Sequence, residues 1–124
     1  MGQVKQNLIQ GRTYDFALSI VNLSIHHLQH QREYVLSKQV MRSGTSVGAN
    51  VEEAIGGSSK KDFINKLAIA FKEARETHYW LRLIRDARLV NPEMINPMIQ
   101  EAFEIMNILA AIIKTSRENE AASS

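Results

Sequence analysis

Hydrophobic residues recur along most of this chain at alternating steps of three and four positions, which is the spacing of one face of an α-helix. The most regular stretch keeps this spacing for three heptads, at Phe63, Leu67, Ala70, Ala74, Thr77, Leu81 and Ile84. No stretch alternates with a period of two, as a half-buried strand would. The pattern predicts helices at roughly residues 13–32, 38–56, 59–89 and 92–116, with a kink or break near Pro97.

The segments between the predicted helices are short, which favours packing of each helix against the next one in sequence. The chain has 124 residues, a length that fits one domain. We therefore predict an all-α fold, an antiparallel up-down-up-down four-helix bundle that spans residues 11–116. Residues 1–10 are expected to form a polar N-terminal extension, and residues 117–124 a disordered tail.

The second predicted helix contains a run of small residues at positions 43–49. Its apolar seam passes through Gly44, Val47 and Val51, although glycine weakens a helix interior by about 1 kcal/mol relative to alanine. Because glycine lets another backbone approach closely, we expect these residues to face a neighbouring helix at short range.

A polar row follows the same helix beside this seam, at spacings of four and three. Buried polar groups need hydrogen-bond partners, so the row is expected to meet donors and acceptors on a neighbouring helix. The side chains expected to form this polar ladder are Ser46, Asn50, Glu53, Arg75 and Glu76.

Two of the predicted helices carry hydrophobic residues away from their main seam. On the first helix the main seam comprises Tyr14, Leu18, Val21, Ile25 and Leu28. A bundle needs one apolar stripe per helix for its own core, so surplus apolar residues are typical of interfaces. The residues expected to form a subunit interface are Phe16, Ile20, Leu23, Ile69, Trp80 and Leu83.

Composition restricts the compartment and the chemistry. The chain has no cysteine, so it forms no disulfide and no thiolate metal site. The N-terminus lacks the apolar run of a signal peptide, and the longest apolar run, at residues 108–113, is far shorter than the roughly 20 residues that a bilayer span needs. We expect a cytoplasmic protein without a membrane partner.

Candidate metal ligands are present but badly spaced. Carboxylates on two helices, at Glu52, Glu53, Glu73 and Glu76, suggest a di-iron bundle, but the Glu-x-x-His motif of such sites is absent. His26 and His30 are four apart and could share a metal, yet zinc usually needs a third protein ligand. A solvent-facing helix end is the favoured interpretation. We predict no metal, no cofactor and, without a nucleophile or acid–base motif, no enzyme activity.

Charge is segregated along the chain. Between residues 60 and 88 eight lysines and arginines outnumber four acidic residues, whereas the net charge of the whole chain is +2. One interpretation is a nucleic-acid site that contacts phosphates. The other is a solvated helix face with ion pairs along the helix. The residues expected to bind nucleic acid under the first interpretation are Lys60, Lys61, Lys66, Arg82 and Arg85.

Three motifs of this chain resemble a bacterial four-helix bundle family, the 23S rRNA-intervening-sequence proteins. They are SVGANVEEA from Ser46, SKKDF from Ser59 and IAFKEARETHYWL from Ile69. The resemblance covers roughly residues 14–115 and implies a ring-shaped homopentamer. It also implies kinship with accessory proteins of diversity-generating retroelements, which bind nucleic acid and a reverse transcriptase. The family has no agreed biochemical activity.

Two classes of function stay open at this point. The leading hypothesis is a non-catalytic homo-oligomeric bundle that binds RNA or DNA through a basic surface of the ring. The alternative is a scaffold or adaptor for an unidentified protein, with no nucleic acid involved. A metal-binding bundle is a distant third.

Overall fold

A computed structural model of the chain describes residues 2–123, including the side chains of residues 8–122. Helix α1 spans Gly2–Leu23 and continues into a π turn at Ser24–Leu28 and a 3-10 turn at Gln29–Gln31. Helices α2, α3 and α4 span Val35–Ile55, Lys60–Asp86 and Pro92–Ser123. The described residues contain no strand, which confirms an all-α protein of four helices, and none of these helices is long and apolar enough to cross a membrane.

The N-terminal segment differs from the prediction. Residues 2–10 belong to α1 and do not form a separate polar extension; Met1 lies outside the described residues. Ile9 is 1% exposed and begins the core seam of this helix. Thr13 is therefore an interior residue of the helix, and its hydroxyl donates to the carbonyl of Ile9 at 2.8 Å, four residues back.

The first helix buries the opposite face from the one predicted. Phe16, Ile20 and Leu23 lie in the hydrophobic core of the chain itself, so their assignment to a subunit interface is wrong. Tyr14 and Leu18, which belong to the predicted main seam, are exposed. Both faces are apolar at helical spacing, so periodicity could not decide which of them turns inward.

Small residues of α2 decide this orientation. A Cβ atom at Gly44 would lie 2.7 Å from the Cγ1 and Cγ2 atoms of Ile20, and one at Gly48 would lie 3.2 Å from the carbonyl oxygen of Thr13. Real Cβ atoms do not come as close as the first of these distances. The predicted close contact of the small-residue run is confirmed, and its partner is the buried face of α1.

The π turn shifts the register of the core. Along α1 the buried positions Ile9, Thr13, Phe16, Ile20 and Leu23 follow steps of four and three. The next large buried residue is Leu28, five positions beyond Leu23. A π turn contains one residue more than an α turn, which accounts for the longer step. Leu28 is therefore buried although Ile25, in the same predicted seam, is exposed.

The helix ends show which capping signals operate. The Ser59 hydroxyl accepts from the Asp62 amide at 3.0 Å, and the Asn91 side chain accepts from the Glu93 amide at 2.9 Å. Helix α2 begins three residues before the predicted position 38, and Ser37 is buried inside it, where its carbonyl accepts from the Ser24 hydroxyl at 3.2 Å.

Helix α4 is longer and more continuous than predicted. It passes through Pro97 without a break, because the only intrahelical hydrogen bond that this proline removes is the one to the carbonyl of Glu93 in the first turn. It also continues through residues 117–123, which were predicted to be disordered and which contain good helix formers. Ser124 lies outside the described residues.

A charged contact joins the first and last helices. The Arg12 guanidinium donates to Glu101 Oε2 and to Glu104 Oε1, both at 2.9 Å. These hydrogen bonds raise the pKa of Arg12, with Glu101 contributing most, and hold the pKa of the Glu104 carboxyl below its usual range. Because the pKa of Arg12 is raised and that of Glu104 is lowered, this pair stays charged near neutral pH and the contact between α1 and α4 persists there.

Candidate nucleic-acid interface

The five predicted nucleic-acid-binding residues all lie on α3, but not in one place. Lys60 and Lys61 are exposed in its first turn, next to the Ser59 cap, and Lys66 follows, half-buried. Arg82 and Arg85 lie in its last turns. At 1.5 Å per residue, the helix separates Lys61 from Arg82 by about 30 Å. One chain therefore carries two basic clusters instead of one patch.

Arg82 and Arg85 form the C-terminal cluster of α3, and both contact other side chains of the chain. The Arg82 guanidinium lies 5.9 Å from the centre of the Tyr79 ring. Arg85 donates to Asp86 at 2.9 Å through Nε and to the Asn96 side chain at 3.2 Å. Arg82 is thus the more available cation of this cluster, and Arg85 would have to exchange partners to contact a phosphate.

His78 belongs to the C-terminal cluster and was missed as a site residue. It is half-buried, and its ring lies 6.3 Å from that of Phe103 on α4. Burial lowers the pKa of His78, and the positive charges of Arg82 and Arg85 lower it further. Arg82 and Arg85 follow His78 by four and seven residues, which places all three on one helix face. This spacing could have identified His78 from the sequence.

The predicted polar ladder does not cross between helices. The Asn50 amide donates to the carbonyl of Ser46 at 2.9 Å and to its hydroxyl at 3.0 Å, so the two residues pair within α2. Both are half-buried, and Glu53 is exposed. The expectation of buried bonds to a neighbouring helix is wrong for these residues, because the row lies at the edge of the buried seam.

The other two ladder residues have different partners. Arg75 is exposed on α3, and its guanidinium lies 5.7 Å from the centre of the Phe71 ring. Glu76 accepts from the guanidinium of Arg42 on α2 and from Trp80 Nε1 at 2.9 Å. Glu76 therefore does link two helices, but through a partly exposed ion pair that Asn50 does not join.

A buried hydroxyl pair makes the polar contact that the ladder was expected to make. Thr77 Oγ1 on α3 lies 2.8 Å from Ser43 Oγ on α2, and both side chains are fully buried. Thr77 also donates to the carbonyl of Glu73 at 2.7 Å. Thr77 stood in the predicted seam of its helix, but only the packing of α2 on α3 identifies its partner.

A groove between α3 and α4 was not predicted. Its volume is about 510 Å³. Its floor is apolar and consists of Ala68, Phe71, Ala110 and Ile113. Its rim carries the cations Lys72, Arg75, Lys114 and Arg117, and one acidic residue, Glu118. We refer to this feature as the α3–α4 groove.

Exposed hydrophobic residues follow the outer face of α1 and of the π turn that continues it. Tyr14, Leu18 and Ile25 are 63%, 54% and 46% exposed, and we refer to these three as the α1 stripe. On α3, Ile69 and Leu83 are exposed as well, whereas Trp80 is half-buried. The α1 stripe replaces Phe16, Ile20 and Leu23 as the surface of α1 that is free to pack against another molecule.

Metal-binding geometry is absent from the side chains of residues 8–122, where no three histidine, aspartate or glutamate side chains are grouped as a metal ion would require. His26 lies in the π turn and His30 in the 3-10 turn that follows, and both are exposed.

Comparisons with known proteins show a family and a similar solved structure. A family model described as 23S rRNA-intervening sequence protein matches residues 5–111. A solved structure from Bacteroides thetaiotaomicron VPI-5482, described as a protein of unknown function from the S23 ribosomal protein family, is 44% identical in sequence with a TM-score of 0.85. The match covers 89% of this chain and 98% of that one. No curated protein matches the chain.

Proposed function

Since the chain belongs to the 23S rRNA-intervening sequence protein family, we propose that it is a non-catalytic bundle that assembles into a closed homopentameric ring and binds RNA or DNA through the basic clusters of α3. The observation that carries the proposal is the α1 stripe, an apolar surface on the side of α1 that its own chain leaves uncovered. The number of subunits follows from the family resemblance.

The chain direction proposed for the bundle is up-down-up-down. Contacts between α1 and α2 support it, because later residues of α2 meet earlier residues of α1. Gly48 approaches Thr13, Gly44 approaches Ile20, and Ser37 bonds with Ser24. In this arrangement the two ends of α3 lie at opposite ends of the bundle.

Ring symmetry would convert the two clusters into two belts. Cyclic symmetry repeats each residue at the same height around the axis, so five copies of Lys60 and Lys61 would form one basic belt. Five copies of Arg82 and Arg85 would form another basic belt. Several weak phosphate contacts presented together bind far more tightly than one, which makes affinity for a polyanion depend on assembly.

Charge reversal at the first belt tests the nucleic-acid part of the proposal. Lys60→Glu with Lys61→Glu should keep the mass of the assembly and weaken binding of a fluorescent 20-nucleotide RNA by about tenfold or more, because phosphate contacts are lost. Binding is measured by anisotropy over a range of salt concentrations. The control is Lys38→Glu, which reverses the charge of one exposed lysine on α2.

Two results would contradict this expectation. The first is that the double variant binds RNA as tightly as the parent protein. The second is that the RNA affinity of the parent protein does not depend on salt concentration. Either would leave a protein-binding scaffold as the function. The α3–α4 groove favours that second candidate, because an apolar floor is suited to a protein partner.

His78 provides a reporter for the second belt. A phosphate beside Arg82 and Arg85 would offset their positive charge, so RNA binding should raise the pKa of His78 towards its usual range. The pKa is measured by NMR titration of the histidine ring protons with and without RNA, and His78→Gln assigns the signal. His26 and His30 serve as internal references. If RNA binds and the pKa of His78 does not rise, the second belt takes no part in binding.

A further inference from the structure

The two walls of the α3–α4 groove repeat one sequence pattern. On α3 the lining residues are Ala68, Phe71, Lys72 and Arg75. On α4 they are Ala110, Ile113, Lys114 and Arg117, at the same spacing of three, four and seven residues. Each helix thus contributes a small residue, a large apolar residue, a lysine and an arginine from one face. The result is an apolar trough with two cations on each side.

The cations of the rim are available to a partner. Among the side chains of residues 8–122, the ion pairs involve Arg12, Arg42 and Arg85 but not Lys72, Lys114 or Arg117. Arg75 lies over the Phe71 ring and forms no ion pair within the same range. Glu118 is the one acidic residue that lines the groove. A ligand that carries several carboxylates would therefore complement the rim.

The floor restricts the ligand further. Its four residues are apolar, and the two alanines have short side chains that allow a close approach to both helices. A third helix can lie in the trough between two packed helices and insert apolar side chains spaced by three and four residues. Nucleic acid fits less well, because the only aromatic ring of the floor is half-buried and covered by Arg75.

We propose that the α3–α4 groove docks an acidic amphipathic helix of a partner protein. Apolar side chains on one face of that helix would contact Phe71 and Ile113, and flanking carboxylates would pair with the lysines and arginines of the rim. This site is separate from the two basic clusters at the ends of α3, so docking of such a helix does not depend on RNA binding.

A designed peptide tests the proposal with the whole chain. The probe is a fluorescein-labelled 18-residue helical peptide with leucines at positions spaced by three and four and glutamates on both flanks. Its binding is followed by anisotropy. We expect Lys114→Glu with Arg117→Glu to weaken binding by about tenfold or more, because two favourable charge contacts become repulsive. A peptide with the same leucines and lysine in place of every glutamate should not bind the parent protein measurably.

Filling the floor tests the apolar contact. Ala110→Trp places a large ring in the trough and should also weaken peptide binding by about tenfold or more. Ala111→Trp is the matched control, because Ala111 is exposed on the same helix and does not line the groove. Circular dichroism confirms that each variant is folded.

Four outcomes would overturn the proposal. The first is equal binding of the acidic and basic peptides, and the second is full binding to Ala110→Trp. The third is that RNA displaces the acidic peptide while Ala110→Trp leaves RNA affinity unchanged. This would mean that the cations of the rim bind polyanions in general and that the apolar floor takes no part. The fourth is a change of assembly mass in Lys114→Glu with Arg117→Glu, which would mean that a second copy of the chain covers the groove.

Discussion

Replacement of Gly44 with leucine is expected to lower the free energy of unfolding by about 3 kcal/mol or more. A single Cβ atom at this position would already lie 2.7 Å from two branch carbons of Ile20. Leucine adds three further carbons, and the Ile20 side chain that they would meet is fully buried. Because domains are held folded by roughly 5–15 kcal/mol, the variant should unfold at a clearly lower denaturant concentration.

Gly11 provides the matched control for this prediction. A Cβ atom at Gly11 would meet nothing within 4 Å, so leucine there should leave stability unchanged or raise it by up to about 1 kcal/mol through helix propensity. Ile20→Ala combined with Gly44→Leu should cost less than the two single changes together, since one side chain makes room for the other. An unchanged unfolding midpoint for Gly44→Leu would mean that α1 and α2 do not pack as described.

Leu18→Glu is expected to convert the assembled protein into folded monomers of 14.0 kDa. Leu18 lies in the middle of the α1 stripe, and 54% of its surface is exposed in a single chain, so the fold tolerates a carboxylate there. Inside a packed subunit interface the same carboxylate would be buried without a partner, which is costly.

Loss of multivalency in the Leu18→Glu monomer should then reduce RNA affinity by about 100-fold. Light scattering measures the mass and anisotropy measures the affinity.

Two variants separate loss of assembly from loss of folding. Asn107→Glu adds the same charge at an exposed position of α4 and should keep the parent mass. Ile20→Glu places the carboxylate in the core and should unfold the chain instead of dissociating it. A parent protein that already runs at 14.0 kDa would refute the ring, and an assembled Leu18→Glu would exclude the α1 stripe from the interface.

The sequence predicted the type of each element better than its limits. Helical periodicity depends on neighbouring residues and corresponds to the structure, and the Ser59 and Asn91 caps are likewise made by residues next to the helix ends. The first helix shows where local reasoning fails. Its two apolar faces have the same period, and the choice between them depends on Gly44, which is distant in sequence and contacts Ile20 only in the folded chain.

The candidate nucleic-acid interface was predicted only in part, because its arrangement also depends on residues that are distant in sequence. The basic residues of α3 could be identified from composition, but their division into two clusters follows from the length of the helix. The α3–α4 groove requires two helices to lie side by side, so neither helix predicts it separately. The repeated pattern Ala-x-x-apolar-Lys-x-x-Arg at Ala68 and Ala110 was nevertheless visible in the sequence, and comparison between helices would have revealed it.

The π turn at Ser24–Leu28 determines where a single codon can be deleted from the first helix without disturbing the core. Residues before it and after it lie in the core, so the turn absorbs the rotation that one surplus residue creates. Loss of one codon within the segment would convert it to an α turn and leave both flanking parts of the core in register. Loss of one codon elsewhere in α1 would rotate by about 100° the side chains that follow it in the same helix. Alignments of related genes are therefore expected to place their single-residue gaps of the first helix at this turn.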